Sequence, residues 1–164
     1  MKIILRNAIT ASVIIFSLSC VTASAQDRQE RSAWGYGFFA PSGTRSDFLL
    51  HSGAGGEGVI YKGLGVGGEI GYIAATRNLG SGAGLASING VYVFGKKNSK
   101  VAPFVTGGYS MIFPSDAFSL VNFGGGVNYW FHDHVGARFE FRDHVSTTSS
   151  DFHIYGFRVG LTFR

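Results

Sequence analysis

Apolar side chains alternate with small or polar ones along most of the chain after about residue 32. The clearest case is 135–142, where Val135, Ala137, Phe139 and Phe141 alternate with Gly136, Arg138, Glu140 and Arg142. Successive side chains of a strand point to opposite faces, so this period of two predicts strands with two unlike faces. No segment of this region shows a sustained helical period.

Eight segments of this kind are predicted to be strands, at 33–40, 53–61, 64–74, 83–94, 100–112, 118–131, 134–144 and 152–163. Short turns at 62–63, 95–99 and 132–134 alternate with connections that are mostly longer, at 41–51, 75–82, 113–117 and 145–151. An even number of strands joined in this way is typical of antiparallel up-and-down barrels that cross a membrane. Strands of about 9–11 residues are long enough to cross a bilayer at a tilt.

The hairpin around Asp133 indicates which face lies inside. If residues 132–134 form its turn, Gly126 lies opposite Glu140 and Gly124 lies opposite Arg142. Large charged side chains facing glycines suit a narrow lumen, because eight strands leave just enough room for side chains. We therefore predict that the charged rows are enclosed and that the aromatic and aliphatic rows face hydrocarbon.

Three acids and three bases are predicted to form a charge network inside the barrel: Glu57, Glu69, Arg138, Glu140, Arg142 and Arg158. Buried charges are tolerated only when they are paired and hydrogen-bonded. Glu69 could reach Arg138 across the lumen, and a last hairpin centred near residue 149 would place Glu140 beside Arg158. A strict two-residue turn at 62–63 would point Glu57 towards lipid, so we expect a turn of odd length there.

The first 25 residues have the pattern of a secretory signal peptide. Lys2 and Arg6 precede an apolar stretch at 8–21, and Ala23-Ser24-Ala25 forms a small-x-small site that predicts cleavage between Ala25 and Gln26. The apolar stretch is shorter than the roughly 20 residues of a membrane-spanning helix. Cys20 leaves a lipoprotein leader as an alternative. We thus predict a leader at 1–25, a short segment at 26–31 and a barrel at 32–164, exported through the Sec pathway.

Composition agrees with a barrel whose surface is only partly in water. Glycine is abundant, at 25 residues, and charged residues make up only 15% of the chain. The formal net charge of +4 includes the two leader cations, and no stretch resembles a nucleic-acid-binding patch. The single cysteine, Cys20, lies in the predicted leader. Disulfides and thiol chemistry are therefore not expected in the mature protein.

The sequence resembles the eight-stranded outer-membrane barrels typified by the transmembrane domain of outer membrane protein A and its small OmpX-like relatives. The resemblance covers the mature chain and rests on 102–105 (APFV), 123–131 (FGGGVNYWF), 135–142 (VGARFEFR) and a final alternating aromatic strand. It implies a Gram-negative outer membrane and recognition of the last strand by the barrel-assembly machinery. Phe163 is followed by Arg164, a departure from the terminal aromatic residue of that family.

Two motifs suggest other chemistry. The glycine pattern at 63–68 matches the dinucleotide fingerprint G-x-G-x-x-G, which requires a following helix, yet the sequence that follows is strand-like. His132, Asp133, His134, Asp143 and His144 are of metal-ligating types. His134 and His144 lie at opposite ends of one strand, about 33 Å apart at 3.3 Å per residue, so they cannot share a metal. We expect neither a metal nor a cofactor.

The main functional hypothesis is an integral outer-membrane barrel with a packed polar interior and no open pore, in a structural or surface-interaction role. It would be a monomer in contact with outer-membrane lipid and lipopolysaccharide. One alternative is a lipid A acyl hydrolase or acyl transferase, whose candidate residues surround the last loop: Asp143, His144, Ser146, Ser149, Ser150, Asp151 and His153, with Glu140 below. The other is a soluble periplasmic β-barrel that binds a small apolar ligand.

Overall fold

The computed structural model describes residues 32–96, 99–113, 118–147 and 152–164. The predicted signal peptide, the site between Ala25 and Gln26, and Cys20 lie outside these residues and stay predictions. The described strands are β1 (Ser32–Gly43), β2 (Phe48–Tyr61), β3 (Leu64–Ala75), β4 (Ala83–Val93), β5 (Val101–Phe113), β6 (Phe118–Trp130), β7 (Val135–Ser146) and β8 (His153–Phe163). A short 3₁₀ turn at Leu79–Ser81 precedes β4.

The eight strands form one closed antiparallel barrel in chain order, as predicted, because β8 pairs with β1. Following the register once around the barrel leads from Ser32 to Ser42, a shift of ten residues along β1. A shift of this kind requires strands that tilt by about 35–45° from the barrel axis. The lumen is narrow, and side chains from opposite strands can meet inside it.

Turns and loops alternate between the two ends of the barrel. The turns 62–63 and 131–134, together with the described residues 94–96 and 99–100, lie at one end of the barrel with the start of β1 and the end of β8; this end is called the terminal rim. The described connections 44–47 and 76–82, the end of β5, the start of β6, the end of β7 and the start of β8 lie at the other end, the loop rim. The predicted long connection at 41–51 is wrong in extent, because β1 continues to Gly43 and β2 already starts at Phe48. The two described connections at the loop rim have only four and seven residues.

The β2–β3 hairpin departs from the predicted odd-length turn. Its turn has two residues, Lys62 and Gly63, with φ of 47° and 85°, which suit a tight hairpin turn. Tyr61 pairs with Leu64 while Val59 pairs with Gly65, so Ile60 is an extra residue in a β-bulge. The bulge shifts the parity of β2 by one residue. Glu57 consequently points inward despite the two-residue turn.

Alternation of burial along the strands gives the barrel a polar lumen and an apolar exterior. On β7, Arg138, Glu140, Arg142 and His144 are buried, while Phe139 and Phe141 are exposed. The exterior carries more than two dozen exposed large apolar side chains, including Ile88 at 78% and Leu161 at 51% exposure. Water-soluble proteins rarely expose contiguous apolar area on this scale.

None of the helices in the described part of the chain combines the length and apolarity needed to cross a membrane.

Candidate functional site

All six predicted interior charges lie inside the barrel. Their exposure is 6% or less in every case. Five of them face a glycine on a neighbouring strand, in the pairs Glu57–Gly67, Glu69–Gly55, Arg138–Gly160, Glu140–Gly126 and Arg142–Gly124. Arg158 lies opposite Glu140, as the predicted last hairpin required. Because glycine has no side chain, the facing position leaves space for each long charged side chain.

Arg138 is held by two carboxylates on different strands. Its Nη1 and Nη2 donate to Glu57 of β2 at 3.1 and 2.7 Å, and its Nε donates to Glu140 at 3.1 Å. Trp34 Nε1 donates to the same Glu57 carboxylate at 3.1 Å. The predicted pair Glu69–Arg138 is therefore wrong. The bulge at Ile60 turns Glu57 inward, and Glu57 occupies the place opposite Arg138.

Glu69 instead joins the other two arginines. Arg158 Nη1 and Nη2 donate to it at 2.9 and 3.0 Å, and Arg142 Nη1 lies 3.0 Å from its Oε2. Tyr36 adds its hydroxyl at 3.0 Å, while Arg142 Nε donates to Glu140 at 2.5 Å. The six groups thus form one ladder of three acids and three bases, linked through Glu140. Its formal charge is balanced within the lumen.

Aromatic rings of β1 and β5 complete the ladder, and sequence reasoning missed them. The Arg138 guanidinium lies 4.2 Å from the centre of the Tyr36 ring and 4.0 Å from that of Phe104. Arg158 lies 4.3 Å from the centre of the Phe38 ring. The attraction between a guanidinium and an aromatic ring is stronger where water is excluded, so these contacts help to stabilise the buried arginines. The available signal was the small side chains of Gly35 and Gly37 on the other face of β1, which could not form an apolar exterior row.

Neutral polar groups and two histidines lie between the ladder and the loop rim. Ser87 and Ser110 share a hydrogen bond of 2.8 Å, and Asn122 donates to Ser110 at 2.8 Å. Above them the rings of His51 and His144 lie 6.3 Å apart, each with an Nε2 that has no hydrogen-bond partner. The described residues contain no group of three or more metal-ligating acids, histidines or cysteines.

Apolar clusters lie across both ends of the lumen. One cluster starts near the terminal rim and continues along β1 beside the ladder; it contains Trp34, Tyr36, Phe38, Ala40, Val59, Val91, Val93, Ala102, Phe104 and Trp130. Near the loop rim, Ile73, Leu85, Leu120 and Ile154 form a smaller cluster. Apolar side chains therefore lie towards both ends of the lumen, on either side of the charged and polar groups.

The residues proposed for acyl transfer are divided between the two faces of the sheet. His144 and Ser146 are buried in the lumen, whereas Asp143 faces outward and accepts a hydrogen bond from His153 at 3.0 Å. Ser149, Ser150 and Asp151 lie outside the described residues. The described part of the set forms no common site. The glycines at 63–68 begin β3 rather than a helix, which removes the dinucleotide interpretation.

Six of the seven tyrosines point outward and form two belts. Tyr61, Tyr92 and Tyr129 lie near the terminal rim, and the other belt, near the loop rim, consists of Tyr72, Tyr109 and Tyr155. In the described strands, the outward positions between the belts carry apolar side chains or glycine. Aromatic girdles that flank an apolar band are the exterior pattern of membrane barrels.

Interior glycines should be far less replaceable than exterior ones. A Cβ on Gly126 would lie 2.8 Å from Glu140 Cα and 2.9 Å from the Phe104 ring, whereas one on outward-facing Gly90 meets nothing closer than 3.7 Å. We expect Gly126→Ala to lower the free energy of unfolding by about 1–3 kcal/mol, as overpacking does. Urea titration of the refolded barrel measures this, and Gly90→Ala is the control. Equal effects of the two variants would contradict the packed lumen.

No family model and no curated protein matches the sequence. Solved structures do match. The N-terminal β-barrel domain of Pseudomonas aeruginosa OprF aligns with a TM-score of 0.60 at 16% identity, covering 82% of this chain and 100% of that domain. Neisserial surface protein A aligns with a TM-score of 0.60 at 12% identity, covering 82% of this chain and 99% of that one.

Ail, the attachment invasion locus protein of Yersinia pestis, aligns with a TM-score of 0.53 at 10% identity, covering 82% of this chain and 99% of its own. At these identities the similarity concerns the fold. Strand number, order and closure agree throughout, as the sequence resemblance implied. The chain has the fold of the eight-stranded outer-membrane β-barrels.

Proposed function

We propose that this protein is an integral outer-membrane barrel with a closed, polar-packed lumen, serving as a structural or surface-interaction element rather than as an enzyme or a pore. The observation that carries this proposal is the apolar exterior between two tyrosine belts, combined with the enclosed ladder of charges. In a soluble barrel these two faces would be exchanged. The fold shared with OprF, neisserial surface protein A and Ail supports the same location.

The packing of the lumen supports the absence of a pore. Arginine and glutamate side chains cross the centre of the barrel, and apolar clusters lie above and below them. Eight strands leave an interior that side chains fill. The separation of His144 and Ser146 from Asp143 and His153 argues against acyl transfer at the loop rim. These features support the structural or surface-interaction role.

The membrane assignment predicts opposite accessibility for two adjacent residues of β8. Leu161 is 51% exposed on the exterior, and Thr162 is fully buried in the lumen. In lipid vesicles, oxygen dissolved in the bilayer should raise the relaxation rate of a spin label on Leu161→Cys. A water-soluble nickel reagent should have little effect on that rate. Thr162→Cys should be shielded from both reagents. A label at Leu161 that the nickel reagent reaches freely would contradict a lipid-facing exterior.

The same preparation tests the closed lumen. Planar bilayers that contain the refolded protein should show no large and stable conductance, because buried side chains fill the lumen and apolar clusters lie towards both of its ends. A stable conductance of porin size would contradict the closed lumen while leaving the membrane assignment intact. Release of the protein from membranes by carbonate would instead favour a soluble periplasmic barrel.

A further inference from the structure

Positive charge is concentrated at the terminal rim. Lys62, Lys96 and Lys100 are exposed there, and Arg164 follows β8. Among the described residues of this rim, Asp133 is the acidic side chain. The described part of this rim therefore carries four basic side chains and one acidic side chain. An excess of this size can attract an anionic surface.

The loop rim carries no comparable excess. Its described charged side chains are Arg45, Arg77, Asp47 and Asp143, two of each sign. Arg77 forms an ion pair with Asp47, and Asp143 is bonded to His153. Among the described residues, the excess of positive charge is therefore found at the terminal rim.

Backbone hydrogen bonds between neighbouring turns hold these cations on one rim. Gly63 O accepts from Val93 N at 2.8 Å, which ties the turn that carries Lys62 to the end of β4. Lys100 O accepts from Trp130 N at 2.7 Å, and His134 O accepts from Arg164 N at 3.1 Å. The charges thus follow the circumference of the barrel at nearly one level.

The tyrosine belt beside this rim places the cations at the depth of lipid headgroups. Lys62 Nζ lies 5.0 Å from the centre of the outward-facing Tyr61 ring, whereas the Arg164 guanidinium lies 4.3 Å from the ring of Trp130, which is buried at the terminal end of the lumen. Tyrosine and tryptophan mark the boundary between hydrocarbon and water in membrane proteins. Basic side chains next to such a belt meet phosphates of the adjoining leaflet.

We propose that the terminal rim binds the headgroups of anionic phospholipids in the leaflet that it faces. This inference rests on the proposed membrane function and adds a lipid preference to it. A lysine or arginine near an anionic membrane surface contributes about 1 kcal/mol of attraction, equivalent to about a fivefold preference. The preference should fall as salt is added, because the attraction is screened within about 10 Å at 0.1 M salt.

The test compares retained lipids. Full-length barrel is purified from micelles that contain equal amounts of phosphatidylglycerol and phosphatidylcholine, and co-bound lipids are counted by native mass spectrometry. The wild-type protein should retain phosphatidylglycerol at least about fivefold over phosphatidylcholine at low salt. The variant Lys62→Gln/Lys96→Gln/Lys100→Gln should approach equal retention. The matched control Arg45→Gln/Arg77→Gln, at the loop rim, should keep the preference.

Equal retention of both lipids by the wild-type protein would overturn the proposal. So would a triple variant that keeps the full preference, or a loop-rim control that loses as much of it. A preference that does not weaken with added salt would also count against it. A heat-modifiable gel band shows for each variant that the barrel has formed. Its loss in the wild-type protein would contradict the proposed membrane barrel itself, so the two failures are distinguishable.

Discussion

Glu69→Gln should lower the free energy of unfolding by about 3–5 kcal/mol, the usual cost of removing one partner from a buried ion pair. Glu69 accepts hydrogen bonds from Arg158 at 2.9 and 3.0 Å and from the Tyr36 hydroxyl, and it lies 3.0 Å from Arg142 Nη1. Glutamine keeps the size of the side chain but removes its charge. Arg158 would then lose its carboxylate partner, and Arg142 would keep only Glu140, which also binds Arg138.

Urea unfolding of the refolded protein, followed by the heat-modifiable gel band, measures the effect. Asp47→Asn is the matched control, because the Asp47–Arg77 pair lies at the surface with side-chain exposures of 37% and 77%. Exposed pairs contribute about 0–1 kcal/mol, so the control should change little. Glu69→Gln/Arg158→Gln should recover part of the loss by removing the unpaired cation. A loss below about 1 kcal/mol for Glu69→Gln would show that the ladder is not tightly enclosed.

Much of the barrel could be predicted because a turn specifies the pairing of the strands that it joins. The turn around Asp133 predicts Gly126 opposite Glu140 and Gly124 opposite Arg142, and both pairs are present. The hairpin centred near residue 149 places Glu140 opposite Arg158 in the same way. Because successive side chains alternate between the two faces, this pairing assigns each remaining residue of these strands to the lumen or to the exterior.

The same reasoning fails where an irregularity changes the parity. Nothing in the sequence around Ile60 shows that an extra residue interrupts the pairing of Val59 and Tyr61. Without the bulge, a two-residue turn would point Glu57 outward, so the sequence alone predicts a turn of odd length. The bulge also decides which acid meets Arg138, because it brings Glu57 to the position that was expected for Glu69.

Aromatic residues limit the prediction in a second way. A rule that assigns aromatic rows to lipid suits Phe157 of β8, yet it fails for Tyr36 and Phe38 of β1, which stack on arginines inside. Both positions are equally apolar as sequence. The glycines on the other face of β1 are the available sequence signal, and the register of the whole barrel, closed by β1 and β8, sets which face points inward. The proximity of the His51 ring on β2 to the His144 ring on β7 could not be predicted, because it also depends on closure of the barrel.

The orientation of the two faces predicts a second large effect, in lipid. Val105 of β5 is 48% exposed and lies on the exterior between the two tyrosine belts. We expect Val105→Arg to lower the free energy of unfolding by about 2–4 kcal/mol in phospholipid vesicles, the cost of arginine near the bilayer midplane on the lipid face of a barrel. Urea titration in vesicles, read by tryptophan fluorescence, measures the difference.

Ser46→Arg is the control, because Ser46 is exposed in the loop rim outside the apolar band and arginine there meets water. Its effect should stay within about 0.5 kcal/mol, as for other surface substitutions. A soluble barrel would tolerate arginine at both positions, since Val105 would then face water as well. If Val105→Arg proved as harmless as Ser46→Arg in vesicles, the apolar exterior could not be the surface that meets lipid. The roles inferred for the tyrosine belts and the cationic terminal rim would then have no basis, because both depend on a membrane around the barrel.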